Sequence, residues 1–582
     1  MLYFIVLPML VSSILIALFG ERKYLSWLIS LAGAILSLII SAILFVSFLN
    51  KDIIQSYTWL SISNFSLSLS FIGNNLTLFM ALLVSFISIM VLLFAGFYMR
   101  KEKQHRFYAE MSFFIFSMLG LVISNSLLLF FIFWEFVGIT SYLLIGFWYD
   151  REAPANSSKK ALLITRIGDL SFLVAIVILF SYFHTFSILS ILNSLSSIPI
   201  SIITLVGALL VIAAFSKAAQ FPFYTWLIDA MEGPTPVSSL LHSATMVAAG
   251  AYLLVRLLPI VSVSNIPYVI VSISFLTAFI AALLGLKERH FKKILAYSTI
   301  ESLAFMFMAV GTLNAGGAVF YLFTHAVFKS MLFFISGVLA ILLGTYDIYE
   351  LNKKGTAKTW VMVPAIIGFA SLSAIPPFMG FFAHSALTHN FSIYENIAFV
   401  IVSFFTALFS FRALFVIFGK KTNKPLKKEF ITAFPILTLS VISVIGGVFL
   451  YFFNGIIQLK YGFDAFSFIA LGAALLGIFT SYEVFYKGHA KNYSLRFYNI
   501  GKKLENYRYE KFIISFGNAF SKFGEYVAKF DTSLAYLSSV AAESTLILSS
   551  KTREIENGDA FRYITAVIIG LIAVILIAVI FI

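Results

Sequence analysis

Apolar runs of roughly twenty residues, parted by short polar stretches, fill most of this chain. Each is long enough to cross a hydrocarbon layer of about 30 Å as a helix, and the pattern predicts about sixteen spans. They start near residues 2, 25, 74, 108, 126, 159, 200, 237, 265, 292, 314, 360, 395, 428, 463 and 561. The first is not expected to be a cleaved signal: Glu21, Arg22 and Lys23 follow it and no basic segment precedes it.

Two stretches break the pattern. SYTWLSISNFSLSLSFIGNN, between the second and third runs, alternates polar and apolar residues with period two. A small β-hairpin on the outer face and an ordered loop both satisfy that alternation. Residues 488–560 are too polar to span. Phe512, Phe516, Phe520, Phe523, Val527, Phe530, Leu534 and Leu537 recur there in steps of three and four, as on one face of a helix. As a continuous helix the segment would reach about 110 Å. It would either lie on the membrane surface or strap across neighbouring subunits, and its length favours the strap.

Composition agrees: 60% of the 582 residues are hydrophobic and 11% charged, too few charges to coat a soluble surface. There is no cysteine, which excludes disulfides, thiolate metal sites and a thiol nucleophile. The net charge of +14 raises the possibility of nucleic acid, but the basic residues are partitioned. Alternate loops carry Arg22 and Lys23; Arg100, Lys101, Lys103 and Arg106; Arg151, Lys159 and Lys160; Lys287, Arg289, Lys292 and Lys293; Lys353, Lys354 and Lys358; and Lys420 to Lys428. The other loops hold little beyond Lys51 and Lys460. This bias puts the basic loops in the cytoplasm and both termini outside, in the plasma membrane of a prokaryote. No nucleic acid is expected as a partner; membrane lipids are.

Ionisable residues inside apolar runs carry the functional signal, because each is costly unless paired or hydrated. They are Glu135, Arg166, Asp169, Lys217, Arg256, Glu301, Lys329 and Arg412, with His242, His325 and His384. Glu135 sits deep in its run, and Lys217 is its expected partner. Burial and pairing pull such a couple in opposite directions, which suits proton transfer. Arg166 and Asp169 are three apart on one helical face and suit a local pair; His325 and Lys329, four apart, suit a short relay. Pro222 follows Lys217, and Pro376-Pro377 precedes His384, so two spans combine a break with an ionisable group. Paired broken helices point to a transporter built from inverted repeats.

These stretches also carry a resemblance. WEFVGITSYLLIGFW, KALLITRIGD, SKAAQFPFYTWLIDAMEGPTPVSSLLHSATM, KKILAYSTIES and THAVFKSMLFFISG resemble the antiporter-like membrane subunits of proton-pumping respiratory complexes, above all the distal one of NADH–quinone oxidoreductase (complex I). The resemblance is densest from about Glu135 to His384. It implies an all-α fold with two inverted five-helix repeats, a lateral helix and a terminal anchor. The implied divisions are 1–107, with the outer hairpin; repeats over 108–260 and 265–420; further spans over 428–487; the lateral helix over 488–560; and the anchor over 561–582. It implies that Glu135 and Lys217 serve the first half-channel, His242 a link, and His325 and Lys329 a central relay. Protons, or sodium, would move with redox energy from other subunits.

The chain departs from the family pattern at His384 and Ser385, where lysine and an acid are usual, and at Tyr321, where the relay has a histidine. Glu301 stands where an uncharged residue is typical. A subunit of a multi-subunit sodium/proton antiporter and one of a membrane-bound hydrogenase remain alternatives. A redox enzyme finds no support, because no GxGxxG turn, cysteine cluster or haem-spaced histidine pair occurs; no cofactor is expected in this chain. A purely structural subunit leaves Glu135 and Lys217 unexplained.

Overall fold

The computed structural model describes residues 1–20, 24–62, 65–355, 360–419, 430–457, 459, 461–487 and 569–570. The expected lateral helix and most of the terminal anchor lie outside these residues. Among them, thirteen helices are long and apolar enough to cross a membrane, and two shorter apolar ones accompany them. The protein is a multi-pass helical membrane protein.

In chain order, α1 (Leu7–Phe19) and α2 (Leu25–Ser47) lead into a hairpin of β1 (Ile53–Ile62) and β2 (Phe65–Gly73). The strands pair antiparallel, Ile53 with Gly73 through Ile62 with Phe65, with one irregularity between Thr58 and Leu60. The period-two alternation is therefore a hairpin. Asn74 then starts α3 (Asn75–Tyr98) with reciprocal bonds: its side chain accepts from the Thr77 N–H, and Thr77 Oγ1 accepts from the Asn74 N–H. Next come α4 (Gln104–Ile123), α5 (Leu127–Ile145), α6 (Glu152–Phe183), the short α7 (Ile188–Asn193) and α8 (Ile200–Lys217). A broken segment follows: α9 (Thr225–Asp229), α10 (Thr235–Ser243), α11 (Met246–Arg256) and α12 (Leu258–Val261). Then α13 (Ile266–Lys287), α14 (Phe291–Gly311), α15 (Ala315–Leu343), the short α16 (Ile348–Lys354), α17 (Met362–Leu372) and α18 (Met379–Thr388). Last are α19 (Ile393–Phe418), α20 (Phe430–Ile445), α21 (Phe449–Ile457) and α22 (Ala465–Ser481).

Burial separates core helices from rim helices. Every residue in the best membrane window of α14, and of the α10–α11 span, is buried, against 39% for α2, α6 and α13. The rim helices turn apolar residues outward, as Leu163, Ile167, Leu170, Val174 and Val177 do on α6. Hydrocarbon can accept those side chains but cannot satisfy an open backbone. Helix gaps therefore belong in the core.

Both expected gaps are there. After Lys217 the chain enters the left-handed region at Ala219, the Ala219 N–H donates to Ser216 O (3.3 Å), and Gln220 N–H donates to Phe215 O (2.8 Å). After Leu372 the same turn recurs: Ala374 is left-handed, its N–H donates to Ser371 O (3.2 Å), and Ile375 N–H donates to Ala370 O (2.9 Å). Both close a helix end by the Schellman pattern, with alanine in the place where glycine would be least strained. Cis peptides join Phe221 to Pro222 and Pro376 to Pro377. Gly380 lets the chain return close to this turn; a Cβ on it would fall 1.7 Å from Ser371 O. A third gap, at Thr245 between α10 and α11, has no proline or glycine to announce it.

Two small bridges hold helix ends. Leu127 N–H donates to Phe186 O and Ile188 N–H to Asn125 O (2.8 and 2.7 Å), tying the start of α5 to the start of α7. Phe291 N–H donates to Tyr346 O and Ile348 N–H to Arg289 O (2.9 and 3.1 Å), tying α14 to α16 in the same way. The hairpin joins the first bridge through Asn125 N–H and Ser70 O (2.8 Å). Arg256 secures this corner, with Nη1 donating to Val122 O (3.2 Å) and Nη2 to Ser124 O (3.1 Å).

Candidate functional site

Four charged side chains converge where α5, α6 and α8 meet. Lys217 ends α8 and is wholly buried. The carbonyl end of a helix favours a cation there. Its Nζ donates to Asp169 Oδ1 (3.3 Å) and lies 4.8 Å from the centre of the Trp134 ring. Trp134 Nε1 donates to the same oxygen (2.6 Å). Arg166 Nη1 donates to Glu135 Oε2 and lies 3.8 Å from Asp169 Oδ2. Two carboxylates thus meet two cations, and Arg166 alone is substantially exposed, at 37% of its side chain. Gly138 leaves room for the lysine: a Cβ there would stand 3.1 Å from Nζ.

This arrangement revises the expected pairing. The acid that bonds Lys217 is Asp169, while Glu135 bonds Arg166. Arg166 and Asp169 are not merely a local pair; they link Glu135 to Lys217. The reason is rotational. Three residues apart on α6, Arg166 and Asp169 share one face, and that face brings both charges to α5 and α8, where Arg166 meets Glu135 and Asp169 meets Lys217.

The second group is built around α15. His325 Nε2 lies 3.1 Å from the His242 carbonyl oxygen. A carbonyl only accepts, so Nε2 carries the hydrogen. Both ring nitrogens of His242 lack a hydrogen-bond partner among the described residues. Lys329, one turn from His325 and wholly buried, donates to Ser298 Oγ on α14. Further along, His384 on α18 has Nε2 3.3 Å from Tyr321 Oη, between the rings of Phe305 and Phe399. The side chain of Gln220, in the first gap, reaches across to α14, donating to Ile300 O (3.3 Å).

Several participants escaped sequence reasoning. Trp134 and Ser298 give no signal as single residues in apolar runs. Lys292, assigned above to a basic loop, is buried; its Nζ donates to Met231 O and Gly233 O (2.6 Å each), fixing the turn that leads into α10 and His242. Arg412 likewise has a structural task, with Nη2 donating to Gly285 O (3.2 Å) and Glu288 O.

Broken membrane helices with a lysine at one gap and a histidine beyond another, set among buried acids and bases, define an antiporter-like membrane subunit. Comparison with known proteins gives the same class. Residues 124–410 match the family described as NADH:quinone oxidoreductase/Mrp antiporter, TM, and residues 59–108 match NADH-Ubiquinone oxidoreductase (complex I), chain 5 N-terminus. The chain is 32% identical over 507 residues to NADH-quinone oxidoreductase subunit L of Neisseria meningitidis, covering 77% of this chain and 74% of that one. It is 37% identical over 412 residues to the chloroplastic NAD(P)H-quinone oxidoreductase subunit 5 of Pelargonium hortorum, covering 67% of this chain and 55% of the relative. The match thus spans little more than half the length of the chloroplast protein. Among solved structures, a chain of the Mrp complex from a Dietzia species superposes with a TM-score of 0.76 at 21% identity, covering 100% of this chain and 63% of that one. A chain of an archaeal membrane-bound sulfane sulfur reductase superposes with a TM-score of 0.72 at 19% identity, covering 83% and 99%. These two likenesses concern the fold. The chain belongs to the family of antiporter-like NADH–quinone oxidoreductase membrane subunits that includes bacterial subunit L and chloroplast subunit 5.

Proposed function

We propose that the chain is the proton-translocating membrane subunit of a complex I-like quinone oxidoreductase, driven by electron transfer in other subunits. The observation that carries this reading is the Glu135–Arg166–Asp169–Lys217 chain, buried except at Arg166 and ending at a helix gap. A static ion pair has no need of four alternating charges. Here, when Lys217 gives up its proton toward the gap, Asp169 keeps Trp134 and Arg166 as partners, so the remaining charge is still held. Removing a lone partner would instead strand a buried carboxylate. From the gap the path runs by His242, His325 and Lys329 to His384. Proton rather than sodium is the cargo best matched to this line of lysines and histidines, whose side chains can each take up and give up a proton.

We further propose two repeats, over 108–260 and 265–420, within about sixteen spans. The support is local: the turn at Ala219 matches that at Ala374, and the bridge between α5 and α7 matches that between α14 and α16. By that matching Asp169 corresponds to Lys329 and Trp134 to Ser298, and in each pair the α6 or α15 residue is bonded to its α5 or α14 partner. Residues 1–107 would carry the outer hairpin, 428–487 further spans and 561–582 the anchor. Both termini would face outward from a prokaryotic plasma membrane. Residues 488–560 would strap neighbouring membrane subunits. If so, truncation at residue 487 lowers the yield of intact complex; an unchanged yield leaves only a surface helix. The Mrp-type reading shares the fold but not the names of the sequence relatives.

The test is Lys217→Ala in the assembled complex, with proton translocation measured beside electron transfer. The expected loss is about a hundredfold in protons moved per electron. Wild-type pumping in a fully assembled variant would falsify the channel role.

A further inference from the structure

One buried acid takes no part in the line above. Glu301 on α14 is wholly buried, and none of the ion pairs among the described residues includes it. Its Oε1 lies 2.5 Å from Thr406 Oγ1 on α19, and its Oε2 has no hydrogen-bond partner among the described residues. Thr406 Oγ1 also lies 2.9 Å from the Val402 carbonyl oxygen. A hydroxyl has one hydrogen and cannot donate to both. Both contacts are hydrogen bonds at once only if Glu301 carries a proton and donates it to Oγ1, leaving the hydroxyl free to donate to Val402. When Glu301 is ionised, the hydroxyl must turn to the carboxylate and release the carbonyl.

The acid is also well placed. Ser298, which bonds Lys329, is one turn before it on α14; Phe305, whose ring lies 5.7 Å from that of His384, is one turn after. Those steps are about 4.5 and 6 Å along the helix axis. We propose that Glu301 is a proton-carrying station between Lys329 and His384, with the Thr406 hydroxyl turning as the acid gains and loses its proton. In the first step the Lys329 ammonium gives a proton to the Glu301 carboxylate, leaving an amine and a carboxylic acid. In the second the acid gives it to the His384 imidazole, leaving a carboxylate and an imidazolium. No electron is gained or lost.

This inference rests on the proton-pathway reading, and the test separates the two. In the intact complex, Glu301→Gln keeps the size and can still accept from Thr406 but cannot carry the proton. Protons translocated per electron should fall about tenfold or more, and Glu301→Asp should retain most of the ratio. A wild-type ratio in Glu301→Gln overturns the proposal; Lys217→Ala, measured in parallel, tells whether the pathway reading falls with it. Thr406→Val leaves the acid in place and gives a second readout. Infrared spectra of the purified complex should show a carboxylic-acid band that is lost in Glu301→Gln and shifted in Thr406→Val. A band unmoved by Thr406→Val removes the hydroxyl from the mechanism.

Discussion

The two halves of the site solve one problem differently. In the first, around Lys217, charges are paired: two carboxylates answer two cations, and one oxygen of Asp169 takes both an ammonium and an indole N–H. In the second, around Lys329, the bonded ionisable groups have neutral partners: a serine for Lys329, a carbonyl for His325, a tyrosine for His384 and a threonine for Glu301. Yet the backbone turns and bridges that frame them match. The scaffold fixes where an ionisable group stands; the side chains fix whether it stands as one member of an ion pair or beside a neutral partner.

The sharpest way to break this comparison is to remove one group from each half. Asp169→Ala strands a buried lysine and should cost about 3–5 kcal/mol, read as a lower midpoint for unfolding in detergent. Lys329→Met removes a charge whose partner is only a hydroxyl, so its stability should stay within about 1 kcal/mol of the parent while proton translocation is lost. Equal losses of stability in the two variants would show that the halves are not built differently.

A smaller effect is expected outside the membrane, at the bridge of the second half. His290, before α14, is pushed down to about 3, first by burial and then by Lys292 and Lys293, with Asp347 opposing. It stacks on Tyr346, ring centres 4.9 Å apart. Because the unfolded chain binds this proton near 6.5 and the folded one near 3, the contribution is complete above about pH 6.5 and is lost as pH falls toward 3. His290→Phe should therefore reduce the fall in Tm between about pH 6.5 and 4 by a few degrees. An unchanged slope would mean that other groups govern it. The matching bridge of the first half has Ser126 and Ser187 in its place and should add no such dependence.

What the sequence revealed follows the same physics. Hydropathy marks helix starts because lipid demands long apolar runs, and helices begin near the expected points from Leu2 to Ala465; the largest displacement is α6, which starts at Glu152 rather than near 159. Proline announced the gaps after Lys217 and Leu372. The Thr245 gap has no such residue; there the Thr245 hydroxyl bonds Leu240 O, a contact between side chain and backbone that leaves no pattern in sequence. The pairing at Lys217 was hidden for another reason. Charge and depth can be read along one helix, but which acid meets the lysine depends on how α6 is rotated against α5 and α8. Lys292 was misjudged because a basic residue next to a loop looks solvated until two carbonyls are found around it.

Arg166 gives the first half an opening to the outside. Its guanidinium holds Glu135 from within, yet more than a third of its side chain is exposed, beside the outward apolar residues Leu163, Ile167 and Leu170 of the same helix. Whatever lies against α6 therefore helps to set how firmly that acid is held, and through Asp169 how firmly the lysine is. A neighbour with a carboxylate would loosen the grip, and a bare hydrocarbon wall would tighten it. The grip on this ion-pair chain is in this sense a property of its company, and a copy studied alone would hold it differently.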